Sequence, residues 1–183
     1  MTAAGSATLT ELSLALSLVT ALTKLEATEV LVDVVPNTAD TGCSTGTEPA
    51  WCTRTFISTP HETAAYDLAN VLKLVPRPNL ADVAGWEGIY PLSQSAQRPL
   101  CVQLALTEEI GPVIALGEIV GFLEVVTAVV PDSIPVTRVL VRADGGEVEI
   151  HTPDPDAAQP LLDELAALNL STRLVSPHKG LEP

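Results

Sequence analysis

A chain of 183 residues with 46% apolar content is long enough for one compact domain or two small ones, and rich enough in apolar side chains to bury a core, so a folded and not a disordered chain is expected. Its 23 acidic residues against nine Lys and Arg leave a net charge of −14, so a phosphate backbone is repelled and nucleic acid is excluded as a partner. The same acidity serves solubility, or contact with a basic protein.

At the N-terminus, Thr8-Leu9-Thr10-Glu11 has the form of a capping box, and Leu9, Leu12, Leu16 and Val19 keep helical spacing. Leu12, Leu14, Leu16 and Leu18 also alternate as a strand would, but the run to Leu25 carries no turn signal and is long for a strand, so a helix is predicted. The apolar run is not expected to be a signal peptide, because Glu11 precedes it, no Lys or Arg does, and no clear cleavage site follows. A cytoplasmic protein is expected. Residues 29–35 then read as a buried strand.

A long loop is predicted over 36–52, holding Asp40, Cys43, Glu48, Trp51 and Cys52. Cys43, Cys52 and His61 fall nine residues apart, yet no Cys-x-x-Cys or His-x-x-x-His pair accompanies them and a fourth ligand is missing, so no metal and no cofactor is expected. Thr59-Pro60-His61-Glu62 opens a second helix with cap, first-turn proline and capping-box glutamate, and Tyr66, Leu68, Leu72 and Val75 carry it to Pro76. A second long loop, or a short helix, is expected over 76–98, with Trp86 and Tyr90 as aromatic anchors. Within it, Gly85-Trp86-Glu87-Gly88 reads as a turn, because it carries an acid and no base.

Leu100, Val102, Leu104 and Leu106 alternate as a strand. After Pro112, taken as a first-turn proline, Leu116, Ile119, Phe122, Leu123, Val126, Val129 and Val130 share one arc of a helix over 112–130, and Gly117-x-x-x-Gly121 offers a close approach to another helix. The β-branched content of this stretch also permits a pair of strands. Glu118 and Glu124 each cost about 2–4 kcal/mol at a bilayer centre, so no membrane span is expected.

The clearest signals lie in residues 137–176. Val139 and Val141, then Val148 and Ile150, alternate on either side of Asp144-Gly145-Gly146, the composition of a hairpin turn needing positive φ. Asp156 then caps a helix carrying Leu161, Leu162, Leu165 and Leu168, Asn169 stops it, and Thr172 to Val175 is a strand. Laying Ile57, Thr59, Pro60, Ala64, Ala65, Leu68 and Leu72 on Ile150, Thr152, Pro153, Ala157, Ala158, Leu161 and Leu165 matches seven of sixteen positions without a gap.

The expectation is therefore an α+β fold with mixed sheets, a tandem pseudo-repeat of α-β-β-α-β units over 1–107 and 108–183. This element order resembles that of BolA-like and type II KH domains, a likeness of topology that touches no sequence motif beyond Gly85 to Gly88. A ferredoxin-like fold is the alternative. No catalytic or metal site is assigned; Trp51, Cys52, Trp86 and Tyr90 are the candidate binding residues. A non-enzymatic interaction module, adaptor or subunit is expected, binding another protein or itself as a homo-oligomer. A structural coat or connector component is the second class. The third is an enzyme using Cys52 as nucleophile, His61 or His151 as base and Asp154 as orienter.

Overall fold

The computed structural model describes residues 7–20, 24–36, 51–76, 85–91, 99–108, 110–129, 134–144, 147–154, 156, 158–167 and 172–175. Helix α1 (Leu9–Thr20) begins with a reciprocal cap. Thr8 Oγ1 accepts the Glu11 N–H at 3.1 Å, and the Glu11 carboxylate accepts the Thr8 N–H at 2.9 Å, so two backbone donors of the first turn are satisfied. Leu9, Leu12, Leu16 and Val19 form its buried stripe. After β1 (Glu26–Ala27), strands β2 (Glu29–Pro36) and β3 (Trp51–Thr59) pair antiparallel from Glu29 opposite Ser58 to Pro36 opposite Trp51. Asp40, Cys43 and Glu48 lie outside the described residues.

Helix α2 (Glu62–Val71) corrects the expected cap. Thr59 is still a strand residue opposite Leu106; its hydroxyl donates to the Glu26 carbonyl at 2.8 Å and accepts the His61 N–H at 3.1 Å, which leaves His61 at the N-cap with no side-chain cap. The end comes earlier than Pro76. Lys73 adopts a left-handed φ of 53°, its N–H donates to the Asn70 carbonyl and the Leu74 N–H to the Ala69 carbonyl, the two bonds of a Schellman stop.

The expected 76–98 loop is also corrected. Val75–Pro76 is an edge strand, β4, and Gly85–Pro91 is β5, so Gly85 to Gly88 lies in a strand and not a turn. β5 owes its shape to pairing along β6 (Pro99–Leu106) rather than to any alternation of its own. Strand β7 (Ile114–Ala115) precedes α3 (Leu116–Val129), so the helix starts beyond Pro112 because 114–115 is taken up in pairing with Glu26–Ala27. Ideal Cβ atoms at Gly117 and Gly121 meet nothing within 4 Å, so no described helix uses them for close approach. Strands β8 (Arg138–Arg142) and β9 (Glu147–His151) form the antiparallel hairpin, followed by α4 (Gln159–Ala167) and β10 (Thr172–Val175). Gly145, Gly146 and Asn169 lie outside the described residues.

The protein is an α+β fold with an eight-stranded mixed sheet in the order β10-β9-β8-β2-β3-β6-β5-β4. From the central β2–β8 pair outward, each side reads alike: an antiparallel hairpin partner, β3 or β9, then a parallel strand, β6 or β10, reached through a helix. Equivalent bonds recur on the two sides. The Thr28 N–H donates to Ser58 and the Thr137 N–H to His151, both at 2.8 Å; the Ala143 N–H reaches Thr28 at 2.9 Å and the Val34 N–H reaches Thr137 at 3.0 Å. Thr152 repeats Thr59, donating to the Pro135 carbonyl at 2.7 Å and accepting the Asp154 N–H at 3.3 Å. The segment ahead of each long helix crosses to the other half, Ala7 to Val136 and Ile114 to Ala27.

The register sorts the side chains by face. Val30, Val32, Val34, Ile57, Leu104, Val139, Val141 and Ile150 share one core with the buried stripes of α1, α2 and α3, and α4 lies against α3 and β10 on that same side. Thr55 points into this core and its buried hydroxyl has no hydrogen-bond partner among the described residues. Thr55 sits opposite Val32, and the corresponding place opposite Val141 is held by Val148. Thr55→Val removes an orphaned hydroxyl from a site whose equivalent already accepts valine. The variant is expected to be more stable by about 1 kcal/mol, a melting temperature higher by about 2–4 °C in calorimetry.

Candidate functional site

The other face of the sheet carries Glu29, Leu31, Asp33 and Val35 from β2, Cys52, Arg54 and Phe56 from β3, Arg138, Leu140 and Arg142 from β8, and Glu149 and His151 from β9. No described helix packs there. Asp33, in the middle of a valine-rich strand, has a side chain only 2% exposed. Desolvating a carboxylate this far is tolerable only with strong partners. Arg54 supplies the main one as a fork: Nε donates to Oδ1 at 2.9 Å and Nη2 to Oδ2 at 2.7 Å. Arg138 adds a second guanidinium from the opposite strand, Nη2 to Oδ2 at 3.4 Å.

A looser network continues along the seam. Arg142 Nε lies 3.4 Å from Glu29 Oε2 and its Nη1 3.9 Å from Glu149 Oε1, and Glu149 Oε2 lies 3.3 Å from His151 Nε2. The charges follow a rule: on this face β2 carries the acids Glu29 and Asp33, and β8 carries Arg142 and Arg138 directly opposite them. Pairing β2 with another β2 in this register would set Glu29 against Asp33, and β8 with β8 would set Arg138 against Arg142. Like charges directly opposite destabilise a sheet, so this seam favours the joining of the two unlike strands.

The residues singled out from sequence do not gather here as one site. Cys52, opposite Val35, belongs to this face and forms a small buried cluster with Val35 and Cys101. Trp51, opposite Pro36, packs against the main core on the other face. Trp86, opposite Leu104, is buried and meets Tyr66 edge to face with ring centroids 5.0 Å apart. Tyr90 is placed opposite Leu100.

Cys52 is near the start of β3 and His61 lies two residues beyond its end, and the seven steps from Cys52 to Thr59 alone span roughly 23 Å of extended strand. His151 lies on β9, three strands from β3 and so about 14 Å across the sheet. Neither imidazole meets the thiol. His61 instead lies 3.2 Å from Glu26, and the Asp154 N–H is held by Thr152. Asp33, Arg54, Arg138, Arg142 and Glu149 were not identified from sequence; the readable signal is an acid or an arginine at an inward-facing position of an apolar strand.

Among the described residues, no cluster of three His, Cys, Asp or Glu has the placement to hold a metal ion, and no helix is long and apolar enough to cross a membrane. No family model, curated protein or solved structure matches the chain.

Proposed function

We propose that this protein is a non-enzymatic interaction module, an adaptor or subunit of a larger assembly. Its scaffold is a tandem pair of α-β-β-α-β units, residues 1–107 and 108–183, each of BolA-like or type II KH-like topology with a hairpin inserted in the first, fused edge to edge through β2 and β8. The two-sided recurrence of the sheet order and of the Thr59 and Thr152 bonds supports the pairing of units. The net charge of −14 argues for a protein rather than a nucleic acid as partner.

The observation that carries this reading is the charged face of the sheet, on which no described helix packs. Arg138 and Arg142 keep side chains 43% and 51% exposed, and each holds its acid only at 3.4 Å or beyond. A guanidinium has five donors, so both retain capacity for carboxylates of a partner surface, with half-buried Leu31 and Phe56 on the neighbouring strands β2 and β3 supplying apolar contact. The test is an Arg138→Ala/Arg142→Ala variant, compared with the wild type as complexes isolated from the native source and weighed by mass. Asp33 keeps the two bonds of the Arg54 fork when Arg138 is removed, and the exposed pair of Arg142 with Glu29 contributes about 0–1 kcal/mol, so the fold persists. Partner affinity is expected to fall at least tenfold. A complex of unchanged mass and affinity would overturn the assignment.

A further inference from the structure

Resting on the reading of this chain as a protein-binding subunit, but at a separate surface, we propose that β10 accepts an extended, basic segment of a partner protein as a ninth strand, antiparallel to β10.

The two ends of the sheet differ. At one end, β4 is two residues long and includes Pro76, which has no N–H to donate, so further pairing is blocked. At the other end, β10 is Thr172-Arg173-Leu174-Val175, four residues without proline and with two β-branched side chains. Among the described residues no strand pairs with its outer edge.

The first half shows what belongs at such an edge. β6 occupies there the place that β10 occupies in the second half, each parallel to the second strand of its hairpin. The outer edge of β6 is covered along its length by β5, antiparallel, from Gly85 opposite Ala105 to Pro91 opposite Pro99. A strand added to β10 reproduces this arrangement and satisfies backbone groups that no described strand pairs.

Charge selects the occupant. β10 itself carries Arg173, but α4 packs against β10, Asp163 on that helix and Asp156 before it are exposed, and the whole chain carries −14, so the balance is acidic. A second copy brings the same acidity and is repelled; an extended segment bearing Lys or Arg is attracted.

The experiment follows amide hydrogen exchange by mass spectrometry in the full chain with the synthetic peptide Lys-Val-Thr-Val-Thr-Val-Lys at millimolar concentration and low salt. Exchange over residues 172–175 is expected to slow at least tenfold. The same peptide with both Thr replaced by Pro is expected to have no effect, and one with Glu for Lys to act at least fivefold more weakly. Unchanged exchange at 172–175 with the Lys peptide overturns the proposal, as does an equally slow edge in the peptide-free chain. Concentration-dependent dimerisation that protects 172–175 without peptide would assign the edge to a second copy and overturn it too. If the peptide fails while the complex from the native source still forms, only the edge assignment falls; if no complex forms either, the protein-binding reading falls with it.

Discussion

Replacing Asp33 by Ala is expected to destabilise the protein by about 3 kcal/mol, the lower end of what breaking a buried ion pair costs. The carboxylate is almost fully desolvated and receives both arms of the Arg54 fork at 2.9 and 2.7 Å. Without it, Arg54, whose side chain is only 21% exposed, loses both bonds of its fork in a place that water reaches poorly. Arg54 reaches solvent at one end, which keeps the loss at the lower bound. In a chain of this length the melting temperature should fall by roughly 6–12 °C. The comparison that isolates the cause is Asp33→Leu/Arg54→Leu, which removes both charges from the same face. That double variant is expected to recover more than half of the loss in urea denaturation, because apolar side chains replace a buried pair at little net cost. A single Asp33→Ala variant with less than about 1 kcal/mol of change would mean that the seam is solvated.

The second large effect is expected at α1. Leu12 is fully buried and Leu14, two residues on, is 44% exposed. Leu12→Ala deletes a side chain packed between helix and sheet and should cost about 2–5 kcal/mol through lost burial and the cavity left behind. Leu14→Ala removes surface already half in water and should change stability by about 0.5 kcal/mol or less. Equal losses for the two leucines, measured side by side by denaturant titration, would revive the strand reading in which Leu12, Leu14, Leu16 and Leu18 share a face.

Part of the candidate site was within reach of a reader of the sequence. Thr28-x-Val30-Leu31-Val32 recurs as Thr137-x-Val139-Leu140-Val141, a match as close as the one from Ile57 to Ile150, and it marks the two central strands. At the positions that differ, Glu29 and Asp33 face Arg142 and Arg138, so the divergence between the segments is the charge complementarity of the seam. The bonding of Asp33 was not readable in the same way, since Arg54 is 21 residues away along the chain and Arg138 is 105. Cys52, His61 and His151 attracted attention for their chemistry, but a nucleophile and a base work only in contact, and strand length and sheet order keep them apart.

What the sequence by itself determined are the features whose energy is local. The reciprocal cap of Thr8 and Glu11 closes within one turn, the Val139 to Ile150 hairpin within one loop, and the stripes of Leu9, Leu12, Leu16, Val19 and of Leu116, Ile119, Leu123, Val126 follow from 3.6 residues per turn. Tertiary structure alone decided that β2 pairs with β8, that 85–91 pairs as a strand, that Thr59 is spent on Glu26 instead of capping α2, and that Ile114–Ala115 crosses to Glu26–Ala27. In each of these the stabilising partner is a backbone group or a charge distant in sequence. Such a bond carries no periodicity or spacing of its own, because a peptide N–H or C=O is the same in every residue that offers one.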